Sequence, residues 1–467
     1  MLSRLDHLLH AVDRDTPADR DRYLDLLRVV AIAVVVLGHW LARVAIEPDG
    51  DLATGHVLTV LPATQWATWV AQVMPLFFVV GGLLNLGSWR RARAGGTSGV
   101  AWVRDRVRRL LRPLLPLLAV WVAISALLVG AGAGDRLPFD PSTAIVPVWF
   151  LAAYVLVTAL TPVLADRGHV RVMLAVLVAA VAVDAVRFTE PEALAWIPTV
   201  EGASALAVLN FLFIWVAVHQ LGFWWSEGLV PRRRALQLAM AAAAVAVVAF
   251  LVVVAGYPRS MVQVPGEIPA NDAPPTLALY ALGVAQLGVA LAVRPAAERW
   301  LARPRVWGTV ALAGSRLMTV FLWHQSAMLA VASLVVPTAV WPTAPAVDWR
   351  WWALRPLWLL ACVAALVPLL LLFGRYEQVR QRRATALPSR VAEVVTAAGV
   401  LAVSGSLGGL IVVGLPDPDA PLGLPLVPLL GALAGMAALG VLGQGHVRRI
   451  LRRPGKGGHC SRKRSSR

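Results

Sequence analysis

The residues best placed to do chemistry lie on one apolar segment near the start of the chain. The stretch DRYLDLLRVVAIAVVVLGHW carries Asp25, Arg28 and His39 as polar positions among long apolar runs. At about 100° per residue, the 11-residue step from Arg28 to His39 falls some 20° short of or past three full helical turns, so both point the same way. Asp25 lies about 40° from His39 around the helix, giving a stripe of carboxylate, guanidinium and imidazole. An ionisable group buried in a membrane costs on the order of 2.5–3.5 kcal/mol, so a residue kept there is a site candidate by default. An imidazole titrating near neutrality suits a general base. Asp25 and Arg28 also read as a simple interfacial pair at spacing i,i+3. Gly38 would let another helix or a substrate approach His39.

A second candidate is the loop WRRARAGGTSGVAWVRDRVRRLLRPLLP, with eight arginines between Arg90 and Arg112. Arg109 and Arg112 are three apart at the mouth of the next apolar run. Planar guanidinium groups bind phosphate oxygens in bidentate fashion, so this pair would suit a phosphorylated donor. His324, in FLWHQSAM, is a further buried imidazole that would support the site or serve packing alone. Asp184 and Arg187 read as a rim ion pair, and His219 with Gln220 as interfacial. Trp40, Trp149 and Trp323 stand beside site candidates and read equally as packing.

The elements that must position these groups are membrane helices. The chain has 467 residues, 58% hydrophobic and 15% charged, with 43 basic and 26 acidic residues. That composition excludes a soluble enzyme and a disordered chain. About 20 apolar residues are needed to cross a hydrocarbon core of about 30 Å, and twelve such runs are centred near residues 35, 77, 123, 156, 179, 215, 245, 285, 326, 362, 402 and 434. The expected fold is therefore all-α: a polytopic bundle of about ten core helices plus two more towards the C-terminus. Placing both termini in the cytoplasm puts 37 Lys and Arg residues inside and six outside, namely Arg43, Arg136, Arg187, Arg259, Arg350 and Arg355. That asymmetry is a topology signal, and it accounts for the net charge of +17 without nucleic acid. The division expected is a cytoplasmic segment 1–22, a membrane domain 23–375, two added helices in 376–446 and a basic cytoplasmic tail 447–467.

Residues 1–22 mix Arg and Asp without an apolar run, so the first hydrophobic helix is expected to act as its own membrane signal. Cys362 and Cys460 are too few for a disulfide framework or a thiolate zinc site. No metal or flavin is implied. The tail from Arg448 to Arg467 reads as a solvated charge run near anionic lipid head groups.

These residues resemble the integral-membrane acyltransferase-3 family, which O-acylates cell-surface sugars and related acceptors. The resemblance rests on Arg28 and His39 with ten residues between them, MPLFFVVGGLLNLGSW on the second span, Arg109-Leu-Leu-Arg112-Pro at the third, WFLAAYVLVTALTP on the fourth and FLWHQ on the ninth. It covers about residues 20–375. It implies an enzyme of the plasma membrane that moves an acyl group, acetyl above all, from cytoplasmic acyl-CoA to a hydroxyl of an external glycan or lipid. Acyl-CoA would be a co-substrate, and no permanently bound cofactor is implied. By the same resemblance Arg28 and His39 are needed for activity and Arg109 and Arg112 handle acyl-CoA; Asp25 and His324, read from their positions alone, are candidates for support. His39 would act as general base or carry the acyl group transiently. The last ninety residues go beyond the family pattern, and the external hydrolase-like domain of some relatives is absent.

Two rival functions fit parts of the sequence. A twelve-helix transporter would also place Arg and His within the membrane, although the second half shows no counterpart of Arg28 and His39. A glycosyltransferase using a lipid-linked donor would need acids in the first outer loop, where Glu47, Asp49 and Asp51 lie; Pro, Asp and Gly there also make an ordinary turn.

Overall fold

A computed structural model describes residues 2–46, 53–132, 140–189, 199–200, 203–338, 348–377, 389–417 and 420–442. Glu47, Asp49, Asp51, Cys460 and the basic tail Arg448–Arg467 lie outside them. The described chain is helical, apart from two short antiparallel hairpins.

The chain opens with an amphipathic helix α1 (Leu2–Arg14), followed by α2 (Arg22–Ala42). The Asp21 carboxylate caps α2 by accepting from the backbone N–H groups of Tyr23 and Leu24 at 3.1 and 3.2 Å, which satisfies two donors that a helix start leaves open. At its far end α2 runs into a hairpin of β1 (Arg43–Ile46) and β2 (Ala53–His56), in which Arg43 faces His56 across the ladder. Beyond it come α3 (Met74–Ala94), then α4 (Gly99–Leu111) and α5 (Leu114–Gly130), which form one candidate span bent by 44°. Pro113 stands at that bend: with no N–H to donate it begins a new helix more readily than it continues one. Next are α6 (Val148–Leu164), α7 (His169–Thr189), α8 (Asn210–Ser226), α9 (Arg234–Val253) and α10 (Leu277–Leu301). A short α11 (Pro304–Gly314) precedes α12 (Leu317–Val335) and α13 (Trp349–Phe373). The last two are α14 (Ser389–Val413) and α15 (Leu426–Ala438).

Among the described residues ten helices are long and apolar enough to cross a membrane, eleven with the bent pair. The ten-span core expected from the sequence is α2, α3, the α4–α5 pair, α6 to α10, α12 and α13, and α14 adds an eleventh. The twelfth apolar run departs from expectation. Its helix α15 has 13 residues, about 20 Å at 1.5 Å per residue, which is shorter than a hydrocarbon core. Even so, this segment reaches between the two ends of the bundle. Pro421–Gly423 packs on α5, and at the other end the Arg104 guanidinium on α4 donates to the Ala438 carbonyl oxygen at 2.9 Å.

The helix pair α3 and α8 sits at the centre, where the backbones nearly touch. A Cβ on Gly82 would lie 2.0 Å from the His219 carbonyl oxygen, and one on Gly222 would lie 2.0 Å from that of Val79. Only glycine permits this approach, and it brings the polar residues of α3 and α8 side by side. At the α2 N-terminal end, α1 packs on α11; the Trp307 indole donates to Thr16 Oγ1 at 2.7 Å and Arg305 pairs with Asp6 at 2.5 Å. At the other end, residues 57–73 and 254–276 form a cover held by Gln72, whose amide nitrogen donates to the Met261 carbonyl at 3.3 Å.

Candidate functional site

His39 on α2 meets His324 on α12. The Nδ1 of His39 lies 2.7 Å from the Nε2 of His324, and the two rings are stacked within 4° of parallel. His324 is fully buried, and its own Nδ1 lies 2.6 Å from the Phe321 carbonyl oxygen. A carbonyl oxygen only accepts, so the proton of neutral His324 is on Nδ1 and its Nε2 holds a lone pair. The Nδ1–H of His39 donates to that lone pair. The second nitrogen of His39, Nε2, is then the unprotonated one, and it has no partner among the described residues. One backbone carbonyl, relayed through one imidazole, thus fixes which nitrogen of the other is basic.

Several contacts hold this pair. The Trp40 indole donates to the His324 carbonyl at 2.9 Å, and the Trp358 indole donates to the Trp40 carbonyl at 2.8 Å. Arg355 donates to the Arg43 carbonyl at 2.6 Å, with its guanidinium 3.4 Å above the Trp351 ring. A cation at the carbonyl end of α2 complements the helix dipole there. The Trp121 indole donates to Ser326 Oγ at 2.9 Å, fixing α12 against α5. Glu377 caps the start of α12: its carboxylate accepts from the backbone N–H groups of Met318 and Thr319, both at 3.1 Å. Trp40 is therefore part of the site's support, whereas Trp323 stacks on Phe373 and Trp149 on Trp215 as packing.

A cationic centre lies about half the length of α2 away. Arg28 is half-buried and touches Asp25 at 3.5 Å, while Asp25 bonds Arg20 more closely, at 2.7 Å. The step of 11 residues from Arg28 to His39 is about 16 Å along the helix. Arg106 on α4 lies within electrostatic reach of Arg28, Arg109 and Tyr154. Its Nε donates to Asn85 Oδ1 at 3.2 Å, and Asn85 donates in turn to Thr158 Oγ1 at 3.2 Å and stands 3.2 Å from His219 Nε2. Arg109 is paired with Asp105, as is Arg108 at 3.2 Å. Arg112 is half-buried at the α4–α5 bend, without a hydrogen bond or ion pair from its side chain among the described residues.

The sequence-expected groups therefore gather at two levels. His39 and His324 are in contact, and Arg28 and Arg109 both lie within electrostatic reach of Arg106, whereas no side-chain hydrogen bond or ion pair joins Arg112 to either level among the described residues. Arg106 and Asn85 were missed. Their signal lay in the quoted motifs: Asn85 is the one amide in MPLFFVVGGLLNLGSW, and Arg106 lies one turn before Arg109. An aromatic row joins the levels. Tyr154 stacks on Phe150 with centroids 5.1 Å apart, Phe150 meets Phe321 edge-on at 5.2 Å, and Phe321 borders His324 at 6.1 Å.

Two expectations are corrected. Asp184 and Arg187 are not a rim ion pair but buried anchors for the cover segment. Asp184 accepts from Asn210 Nδ2 at 2.8 Å and from the Tyr257 hydroxyl and Leu277 N–H, both at 2.9 Å. Arg187 donates to the Pro274 and Ala270 carbonyls at 2.8 and 3.0 Å. His219 and Gln220 are not interfacial, being 1% and 0% exposed between α8 and its neighbours. Gly38 has nothing within 4 Å of where a Cβ would lie among the described residues, so no described helix approaches there. Among the described residues no three His, Cys, Asp or Glu side chains group as a metal site.

The described helices thus form a membrane bundle with an oriented imidazole pair at one level and an arginine centre at the other. The acyltransferase domain matches residues 21–375, most of the chain, and the protein belongs to this acyltransferase-3 family. No curated protein and no solved structure matches it.

Proposed function

We propose that this membrane acyltransferase moves an acyl group, acetyl first among candidates, from cytoplasmic acyl-CoA to a hydroxyl on an extracytoplasmic glycan or lipid. The observation that carries the reading is the His39–His324 contact, which leaves His39 Nε2 as a base about 16 Å along α2 from Arg28. The charge asymmetry of the loops supports a plasma-membrane orientation with both termini in the cytoplasm and the arginine level facing the cytosol.

In this reading, Arg28, Arg106, Arg109 and Arg112 bind the phosphates of acyl-CoA, and the pantetheine arm follows the Tyr154–Phe150–Phe321 row. Asp25 holds Arg28 in place. His39 Nε2 takes the proton of the acceptor hydroxyl as its oxygen attacks the thioester carbonyl. The tetrahedral intermediate collapses with cleavage of the C–S bond, and the departing thiolate recovers the proton from His39. The products are an ester and CoA thiol. His324 acts through His39: its Nε2 accepts from Nδ1–H throughout and favours the imidazolium.

The test is acyl transfer from labelled acetyl-CoA by membranes carrying the wild type or His39→Ala, with protein amounts matched. General-base help is worth about 10² to 10⁴ in rate, so the variant should lose transfer by that factor. Unchanged transfer in His39→Ala would overturn the assignment, and uptake of a solute without acylation would favour a transporter.

A further inference from the structure

Beyond His39, at the end of α2, two donors stand together that the transfer step does not use. Arg43 is four residues past His39, where α2 ends and β1 begins, and His56 faces it directly across the β1–β2 ladder. Opposed residues of an antiparallel pair project from the same face. Both lie within electrostatic reach of His39. Each is also oriented. Arg43 Nη2 donates to Thr143 Oγ1 at 3.0 Å, and its backbone carbonyl is held by Arg355 at 2.6 Å. His56 Nδ1 accepts from the Leu58 N–H at 3.2 Å, which leaves the ring proton on Nε2. Burial, and then the charge of Arg43, pull His56 down to about 4, so the ring stays neutral with Nε2–H as its donor at physiological pH. The remaining N–H groups of Arg43 have no partner among the described residues, and Asp140 lies within electrostatic reach of it. The cavity beside Arg43, about 10 Å³ and so no larger than a water, has Met328, Leu329, Ala332 and Trp358 on its apolar wall.

Resting on the acyltransferase reading, we propose that Arg43 and His56 form the acceptor subsite, and that they select an acceptor carrying an acid group, phosphate or carboxylate, near the hydroxyl to be acylated. The guanidinium binds the acid oxygens and His56 Nε2–H donates to a neighbouring oxygen, so the hydroxyl is presented to His39 Nε2. A guanidinium recognises planar or tetrahedral oxyanions through two parallel hydrogen bonds, which a neutral sugar ring would not match.

The experiment feeds labelled acetate to cells expressing the wild type, Arg43→Gln, Arg43→Lys or His56→Ala. Labelled envelope products are separated by anion exchange and read by mass spectrometry, and the amount and melting temperature of each variant are checked in detergent. The expected result is a labelled product that is anionic through an acid group of its own, phosphate and carboxylate being told apart by mass. Loss of a charge-assisted hydrogen bond should reduce label in Arg43→Gln by about tenfold or more, with partial recovery in Arg43→Lys. A neutral labelled product, or equal label in Arg43→Gln and wild type, overturns the subsite while leaving the acyltransferase reading intact. No label in the wild type above that in cells carrying His39→Ala would instead overturn the acyltransferase reading itself.

Discussion

The Nδ1 of His324 and the carbonyl oxygen of Phe321 are 2.6 Å apart, and through that contact a backbone acceptor on α12 sets the protonation of His39 on α2. His324→Ala removes the acceptor for His39 Nδ1–H, leaving both ring tautomers open and the imidazolium without its partner. Transfer should fall by at least about tenfold, but by less than in His39→Ala, because the base itself survives. A turnover comparison at saturating acyl-CoA measures this. Equal turnover in His324→Ala and wild type would show that His324 only packs.

At the other level, Arg106 is bonded to Asn85 and lies within electrostatic reach of Arg28 and Arg109. If this centre binds the phosphates of the donor, Arg106→Ala weakens binding in the ground and transition states alike. The expected signature is a KM for acyl-CoA raised about tenfold or more with turnover little changed. Asn85→Ala should shift KM in the same direction by less, since the guanidinium remains while its orientation is loosened. A drop in turnover with an unchanged KM would place Arg106 outside donor binding.

Much of this arrangement was legible in the sequence, and the reasons differ by residue. The face shared by Arg28 and His39 follows from helical periodicity alone, and run lengths gave the ten-helix core. Periodicity does not say which helices touch, so the His39–His324 contact, joining residues 285 apart, could be anticipated only as support. Asp184 and Arg187 were misread because the i,i+3 spacing implies a mutual pair. In the fold each is claimed by the cover segment, Asp184 by Tyr257 and Leu277, Arg187 by Ala270 and Pro274. The last run's helix is shorter than its apolar stretch because Pro425 and the Gly440 at positive φ bound it at 13 residues.

The cover segment supplies a pH dependence. Asp272 lies there beside Gln72, and burial raises its carboxyl from the ordinary range to about 7. A raised carboxyl binds its proton more tightly folded than unfolded, so its contribution falls as pH rises from about 4 to about 7 and stays unfavourable above. Asp272→Asn removes that penalty. Its melting temperature should exceed the wild type's at pH 8, and the difference should shrink steadily towards pH 5. A difference independent of pH would mean that Asp272 does not titrate in this window.

Two glycines on neighbouring helices separate a packing role from a passage role. Gly82 has the His219 carbonyl oxygen 2.0 Å from where its Cβ would be, whereas Gly38, beside His39, has nothing within 4 Å. Gly82→Ala must push α3 off α8, at about 1–3 kcal/mol for overpacking, and should lower the melting temperature. Gly38→Ala meets no protein atom and gains helix propensity worth up to about 1 kcal/mol, so its melting temperature should hold or rise. If the acyl chain or acceptor passes Gly38 to reach His39 Nε2, the added methyl occupies that path, and transfer should fall several-fold in a protein at least as stable as the wild type. Full transfer in Gly38→Ala would mean the substrates approach His39 from the α12 side instead.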